Sequence, residues 1–167
     1  QVLEERSKKY KKLVVSRPIQ PVGKVIGFLP GTLEEKMSPW LMPVQDNLEY
    51  LMAGNKSTME LMFENGTIEI EALSYIRGRS ISNAYIIIDE AQNLSIHELK
   101  TIITRVGENT KIILTGDIEQ IDNVYLDATS NGLSHAIERF KSQPLAGHIT
   151  LKKGERSKTA TLAAKIL

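Results

Sequence analysis

Apolar residues in this chain gather into short unbroken runs separated by stretches of helical spacing. Leu13-Val14-Val15-Ser16, Tyr85-Ile86-Ile87-Ile88-Asp89 and Lys111-Ile112-Ile113-Leu114-Thr115 lack polar alternation, as strands covered on both faces require. Thr67 to Leu73 instead alternates polar and apolar positions, which predicts a strand with one solvated face. His148 to Leu151 reads as a further strand.

The intervening segments carry the 3.6-residue period. Met37, Trp40, Leu41, Val44, Leu48 and Leu51 follow a Thr32/Glu35 capping pair and predict one helix, kinked or broken by Pro39 and Pro43. Ser57 to Phe63 is a shorter helix, and Asn131 to Lys141 another, with Leu133, Ile137 and Phe140 on one side. The clearest helix spans 96 to 106, with Ser95 as N-cap, Glu98 three residues later, a stripe from Ile96 to Val106, and Gly107 as stop. The alternation of strands and helices predicts an α/β fold with a mostly parallel sheet flanked by helices. The Pro- and Gly-dense stretch from Ile19 to Gly31 predicts a long loop.

Bulk properties narrow the class. At 167 residues the chain fits one domain, residues 1–167, within the usual ~100–200. A 41% hydrophobic and 25% charged composition is that of a globular protein, and no apolar run approaches the ~18 residues of a transmembrane helix. With no cysteine, disulfides and thiolate metal sites are excluded, and His97, His135 and His148 lack zinc spacing. A net charge of +1 gives no global pull toward nucleic acid, so such a partner must meet local patches. No signal-peptide pattern is visible, and the expectation is a cytoplasmic protein.

Parallel sheets bind ligands beyond the carboxyl ends of their strands, which predicts that Ser16-Arg17, Asp89, Glu90, Gly116 and Asp117 form a single cluster. Asp89 suits a magnesium anchor acting largely through water, because Mg²⁺ prefers hard oxygen ligands and keeps several waters. Glu90 can orient and deprotonate an attacking water. Gln120, three residues beyond Asp117, has an amide able to sense a γ-phosphate. Arg156 is the candidate for stabilising transition-state charge. The plain alternative is that strand-terminal carboxylates cap the turns that follow and that Arg156 joins a surface salt bridge. Arg17, Lys24, Arg77 and Arg79 can neutralise nucleic-acid phosphates, or be solvated charges; with 5% aromatic residues there is little for base stacking.

Asp89-Glu90-Ala91-Gln92-Asn93 and Gly116-Asp117-Ile118-Glu119-Gln120 resemble signatures of the PhoH-like ATPases, relatives of superfamily 1 helicases. So do Ser16-Arg17-Pro18, Gly27-Phe28-Leu29-Pro30-Gly31 and Arg77-Gly78-Arg79-Ser80. The resemblance spans most of the chain. It implies a RecA-like P-loop NTPase core binding ATP and Mg²⁺, with Asp89 and Glu90 as Walker B residues and Gln120 in the helicase-like third motif. It also implies RNA as a partner and a homo-oligomeric ring, a hexamer among the options, in which Arg156 or Arg79 reaches a neighbour's nucleotide.

One family feature is missing. No Gly-x-x-x-x-Gly-Lys-Ser/Thr phosphate loop occurs; Gly23-Lys24-Val25 lacks the hydroxyl after Lys, and Gly54-Asn55-Lys56-Ser57 separates Gly from Lys and has no strand before it. The expectation is an N-terminally truncated core whose phosphate-loop strand lies just upstream of Gln1, leaving an open sheet edge and weak ATP binding by the chain alone. Two other readings stand beside the ATPase: a non-catalytic oligomerisation or RNA-interaction module, and a two-metal nuclease using Asp89, Glu90, Asp117 and Asp122.

Overall fold

The computed structural model describes residues 9–18, 33–76, 78–151, 157–159 and 162, with the side chains of 33–41, 74 and 75 left out of the description. The chain divides into two compact units, Gln1–Ala136 and Ile137–Leu167. The first holds the sheet. Its strands are β1 (Lys12–Arg17), β2 (Ile68–Ala72), β3 (Ala84–Ile88) and β4 (Lys111–Leu114). All pair in parallel, in the order β2-β1-β3-β4.

The pleat explains the runs. Leu13, Val15, Tyr85, Ile87, Ile68 and Ile70 share one face through the registers Leu13↔Ile68 and Leu13↔Tyr85. Helices α1 (Leu33–Leu51) and α2 (Lys56–Glu64) contribute Val44, Leu48, Met59, Met62 and Phe63 to the cluster on that face. Tyr10 closes it, meeting Tyr85 edge-on at 5.3 Å between ring centroids. Val14, Ile86 and Ile88 point to the other face and are buried to 1% exposure or less. Both faces of β1 are therefore dry, and β3 is buried on one face and half-buried on the other, which is why neither sequence alternates.

Helix α1 runs uninterrupted through Pro39 and Pro43, so the expected break does not occur. Beyond Pro43, Asn47 Nδ2 donates to the Pro43 carbonyl at 2.7 Å, and the docking of Val44 and Leu48 holds the segment helical against the ~3 kcal/mol an interior proline costs. Leu51, expected on the apolar stripe, is exposed. The expected Thr32 cap and the loop from Ile19 to Gly31 lie outside the described residues.

A short helix the periodicity did not announce, α3 (Leu73–Ile76), follows β2. Helix α4 (Ile96–Ile103) has the predicted capping box: Ser95 Oγ accepts from the Glu98 N–H, and Glu98 Oε2 accepts from the Ser95 N–H. It ends earlier than its apolar stripe because Val106 forms a parallel bridge with Ile81, and the Gly107 N–H donates to the Ile81 carbonyl at 2.7 Å. Helix α5 (Gly132–Phe140) is capped by buried Asn131, whose Oδ1 accepts from the Ser134 N–H.

In the second unit, His148–Leu151 is not a strand. A strand exists by pairing; no ladder forms here, and Leu145, Ile149 and Leu151 are at least 83% exposed. At the sheet margin β4 pairs only with β3 among the described strands, and Ile112, Ile113 and Leu114 remain half-buried.

Candidate functional site

β1 leads on to β2 at one side of the sheet and β3 leads to β4 at the other, so the chain direction reverses between β1 and β3. Such a switch point opens a crevice outside the carboxyl ends of the two strands. Arg17 and the Asp89-Glu90 pair stand there. Arg17 Nη2 lies 3.2 Å from Glu90 Oε1 in a partly exposed ion pair.

The turn after β3 is tightly fixed. The Asp89 N–H donates to the Ser16 carbonyl and the Ala91 N–H to the Thr115 carbonyl, each at 2.9 Å. Between them Glu90 adopts the left-handed conformation, φ 53° and ψ 37°, which costs a non-glycine residue of order 1–3 kcal/mol. A 3-10 turn, Ala91–Asn93, follows with all three residues buried. The Asp89 carboxylate accepts from Thr115 Oγ1 at 2.7 Å.

The loop after β4 is organised by its own acid. Asp117 Oδ1 accepts from the Glu119 N–H at 2.9 Å, and Asp117 Oδ2 from Gln120 Nε2 at 2.5 Å, so this carboxylate holds Gln120 in place. Gly116 makes room beside it: a Cβ there would lie 2.3 Å from Gln92 Oε1 and 2.8 Å from Leu133 Cδ2.

Pattern reading assigned no role to the residue that joins these loops. Gln92, fully buried, donates from Nε2 to Glu90 Oε2 at 2.6 Å and to the Gln120 carbonyl at 2.9 Å, and accepts the Asp117 N–H on Oε1 at 3.2 Å. Asn93 Oδ1 accepts from the N–H groups of Asp122 and Asn123 at 2.8 and 3.1 Å and anchors the next stretch. Both lie inside the sequence signature. Nothing in spacing alone reveals that their partners come from the far loop.

The predicted cluster of Ser16-Arg17, Asp89, Glu90, Gly116 and Asp117 thus assembles, and Gln120 is held beside Asp117. Arg79 is elsewhere, on the β2 side of the sheet, paired with Glu69 and with Glu71, the latter at 3.1 Å, while Lys12 Nζ meets Glu69 at 2.9 Å. Burial pushes the Glu69 carboxyl up, but hydrogen bonds and charge from Lys12 and Arg79 outweigh it and leave Glu69 below the usual range. Arg77 and Arg156 lie outside the described residues.

Among the described residues no group of three or more His, Cys, Asp or Glu side chains converges in metal-ligating geometry. A strand-end carboxylate braced by a hydroxyl suits a magnesium ion held by one or two protein oxygens, waters and phosphates, rather than by a full protein cage. No helix among these residues is long and apolar enough to cross a membrane.

The family described as PhoH-like protein matches residues 1–166. The chain is 58% identical over 160 residues to Protein PhoH2 of Bacillus subtilis (strain 168), covering 95% of this chain and 36% of that protein. It is 38% identical over 167 residues to Protein PhoH2 of Mycolicibacterium smegmatis, covering 99% and 37% of the two chains. With Protein PhoH of Escherichia coli (strain K12) it shares 36% identity over 149 residues, covering 89% and 42%. The chain therefore spans about two fifths or less of these relatives' length. A match over nearly every residue, on a parallel α/β sheet with its signature loops at the switch point, shows that this chain belongs to the PhoH-like family of P-loop NTPase-type proteins.

Proposed function

We propose that this chain is the hydrolytic part of a longer magnesium-dependent ATPase of PhoH type that acts on RNA in the cytoplasm. The observation that carries the reading is the joining of the Asp89-Glu90 turn to the Gly116–Gln120 loop, through Gln92, at the crevice where an open parallel sheet binds its ligand. The outer edge of β4, unpaired among the described strands and with Ile112 to Leu114 half-buried, supports a further strand beside it that carries the phosphate loop upstream of this sequence.

In this reading Asp89 would hold magnesium, largely through water, and the ion would supply positive charge to offset that of the nucleotide's phosphates. Glu90 orients the attacking water and accepts its proton. Gln120, set by Asp117 and by the room at Gly116, meets the γ-phosphate. Arg156 stabilises transition-state charge, supplied by a neighbouring copy in a ring. Arg77 is the favoured RNA contact; Arg17 and Arg79 must first give up their carboxylate partners to join it. A two-metal nuclease needs convergent carboxylates that the described residues do not provide.

Glu90→Gln in the full-length protein tests the assignment. Loss of the water-orienting carboxylate lowers ATP turnover by roughly 10²–10⁴-fold while magnesium-ATP still binds. Turnover within a few-fold of wild type removes Glu90 from the chemistry. Binding of RNA without any nucleotide binding favours the non-catalytic interaction module.

A further inference from the structure

We infer that Gln92 is a positioning residue that couples phosphate sensing at Gln120 to the aim of Glu90. The inference rests on the ATPase reading above and deepens it by specifying how occupancy of the γ-phosphate position is communicated to the hydrolytic carboxylate.

A buried primary amide is costly unless its donors and acceptor are satisfied, and this one is saturated by partners from both loops. Its own backbone cannot yield. Ala91 before it is tied to Thr115, and Leu94 after it closes the turn by donating to the Ala91 carbonyl at 3.2 Å. The side chain is thus a rigid bracket whose three contacts are one carboxylate and two backbone groups of the far loop.

Two details separate a coupling role from filling space. First, Gly116 leaves open the volume through which Gln92 Oε1 reaches the Asp117 N–H, since any Cβ there would occupy it. Second, Glu90 is held from both sides, by Gln92 on Oε2 and Arg17 on Oε1, so its direction follows the positions of its two donors. A terminal phosphate drawing on the Gln120 amide moves the 117–120 backbone; the Asp117 N–H and Gln120 carbonyl then turn the Gln92 amide, and Glu90 follows. Gln92 touches neither nucleotide nor water in this scheme.

The isosteric Gln92→Glu substitution keeps the volume and the acceptor for Asp117 but sets a second carboxylate against Glu90. The two carboxylates repel, and the donor to the Gln120 carbonyl is lost as well, so the bracket between the loops opens and Glu90 loses one of the two groups that aim it. In the full-length protein, Gln92→Glu is expected to lower kcat roughly 10–100-fold, with KM for magnesium-ATP changed less than about threefold. Hydrogen exchange on the 167-residue chain supplies a second readout: in Gln92→Met the Asp117 amide exchanges faster while amides of α4 keep their protection.

A wild-type kcat in Gln92→Glu, or a fall in kcat matched by an equal loss of magnesium-ATP binding, overturns the coupling. So does unchanged exchange at Asp117. A wild-type protein that does not hydrolyse ATP brings down the ATPase reading itself, an outcome distinct from active wild type with indifferent Gln92 variants.

Discussion

Gly116→Ala isolates the packing on which the joined loops depend. Its added Cβ would sit 2.3 Å from Gln92 Oε1, 2.8 Å from Leu133 Cδ2 and 3.2 Å from the Gln92 backbone nitrogen. Reaching ordinary contact at 3.4 Å requires the amide oxygen to retreat by about 1 Å. That oxygen accepts the Asp117 N–H, so retreat breaks the bond, while the backbone nitrogen and Leu133, a buried residue in the first turn of α5, cannot move aside cheaply. Overpacking costs ~1–3 kcal/mol and the lost hydrogen bond ~0.5–1.5 kcal/mol net, giving about 2–4 kcal/mol in all. For a chain of this size each kcal/mol moves Tm by roughly 2–4 °C, so thermal unfolding should fall by ~5–15 °C. Urea unfolding should show a lower midpoint at unchanged slope. Gly147→Ala is the control, because nothing lies within 4 Å of its Cβ, and its effect should stay within ~0.5 kcal/mol. A Gly116→Ala chain as stable as this control would refute the account of the Gly116–Gln92 contact.

Two further substitutions check other parts of the structure. Ser95→Ala removes the reciprocal capping box of α4 and should destabilise the chain by ~0.5–2 kcal/mol in urea unfolding; no loss would mean that α4 is held by its buried Leu99 and Ile102 alone. Asp127, held low to about 2 by hydrogen bonds from the Thr129 hydroxyl, then the Thr129 and Ser130 backbones and the Ser130 hydroxyl, has a folded pKa below its ordinary value of 3.8. A depressed carboxylate stabilises the fold above the unfolded pKa and loses that contribution as pH falls through the folded one. Asp127→Asn should therefore be less stable than wild type at neutral pH, with the gap closing between about pH 4 and pH 2; a gap independent of pH would contradict the assignment.

Strands buried on both faces were legible because burial removes alternation, and α4 because its caps are local. What sequence could not convey were interactions between distant segments. Gln92 lies in a turn with no periodicity, and its partners at Asp117 and Gln120 come 25 and 28 residues later. Arg79, set in a Gly-flanked basic stretch, reads as free to meet phosphate, yet it neutralises Glu69 and Glu71, whose alternation on β2 looked like a solvated face. Pro43 reads as a breaker until Leu48 and Val44 are seen packed on the sheet. His148 to Leu151 has the residues of a strand but no neighbour to pair with among the described residues.

The central claim, an ATPase core completed by a phosphate loop from upstream sequence, is most directly tested by calorimetric titration of magnesium-ATP into two forms. One is the 167-residue chain; the other is extended through the upstream loop. The account predicts saturable binding by the extended form, weak or no binding by the short chain, and hydrolysis by the extended form that Glu90→Gln abolishes. Folded protein that binds no magnesium-ATP in the extended form would contradict it.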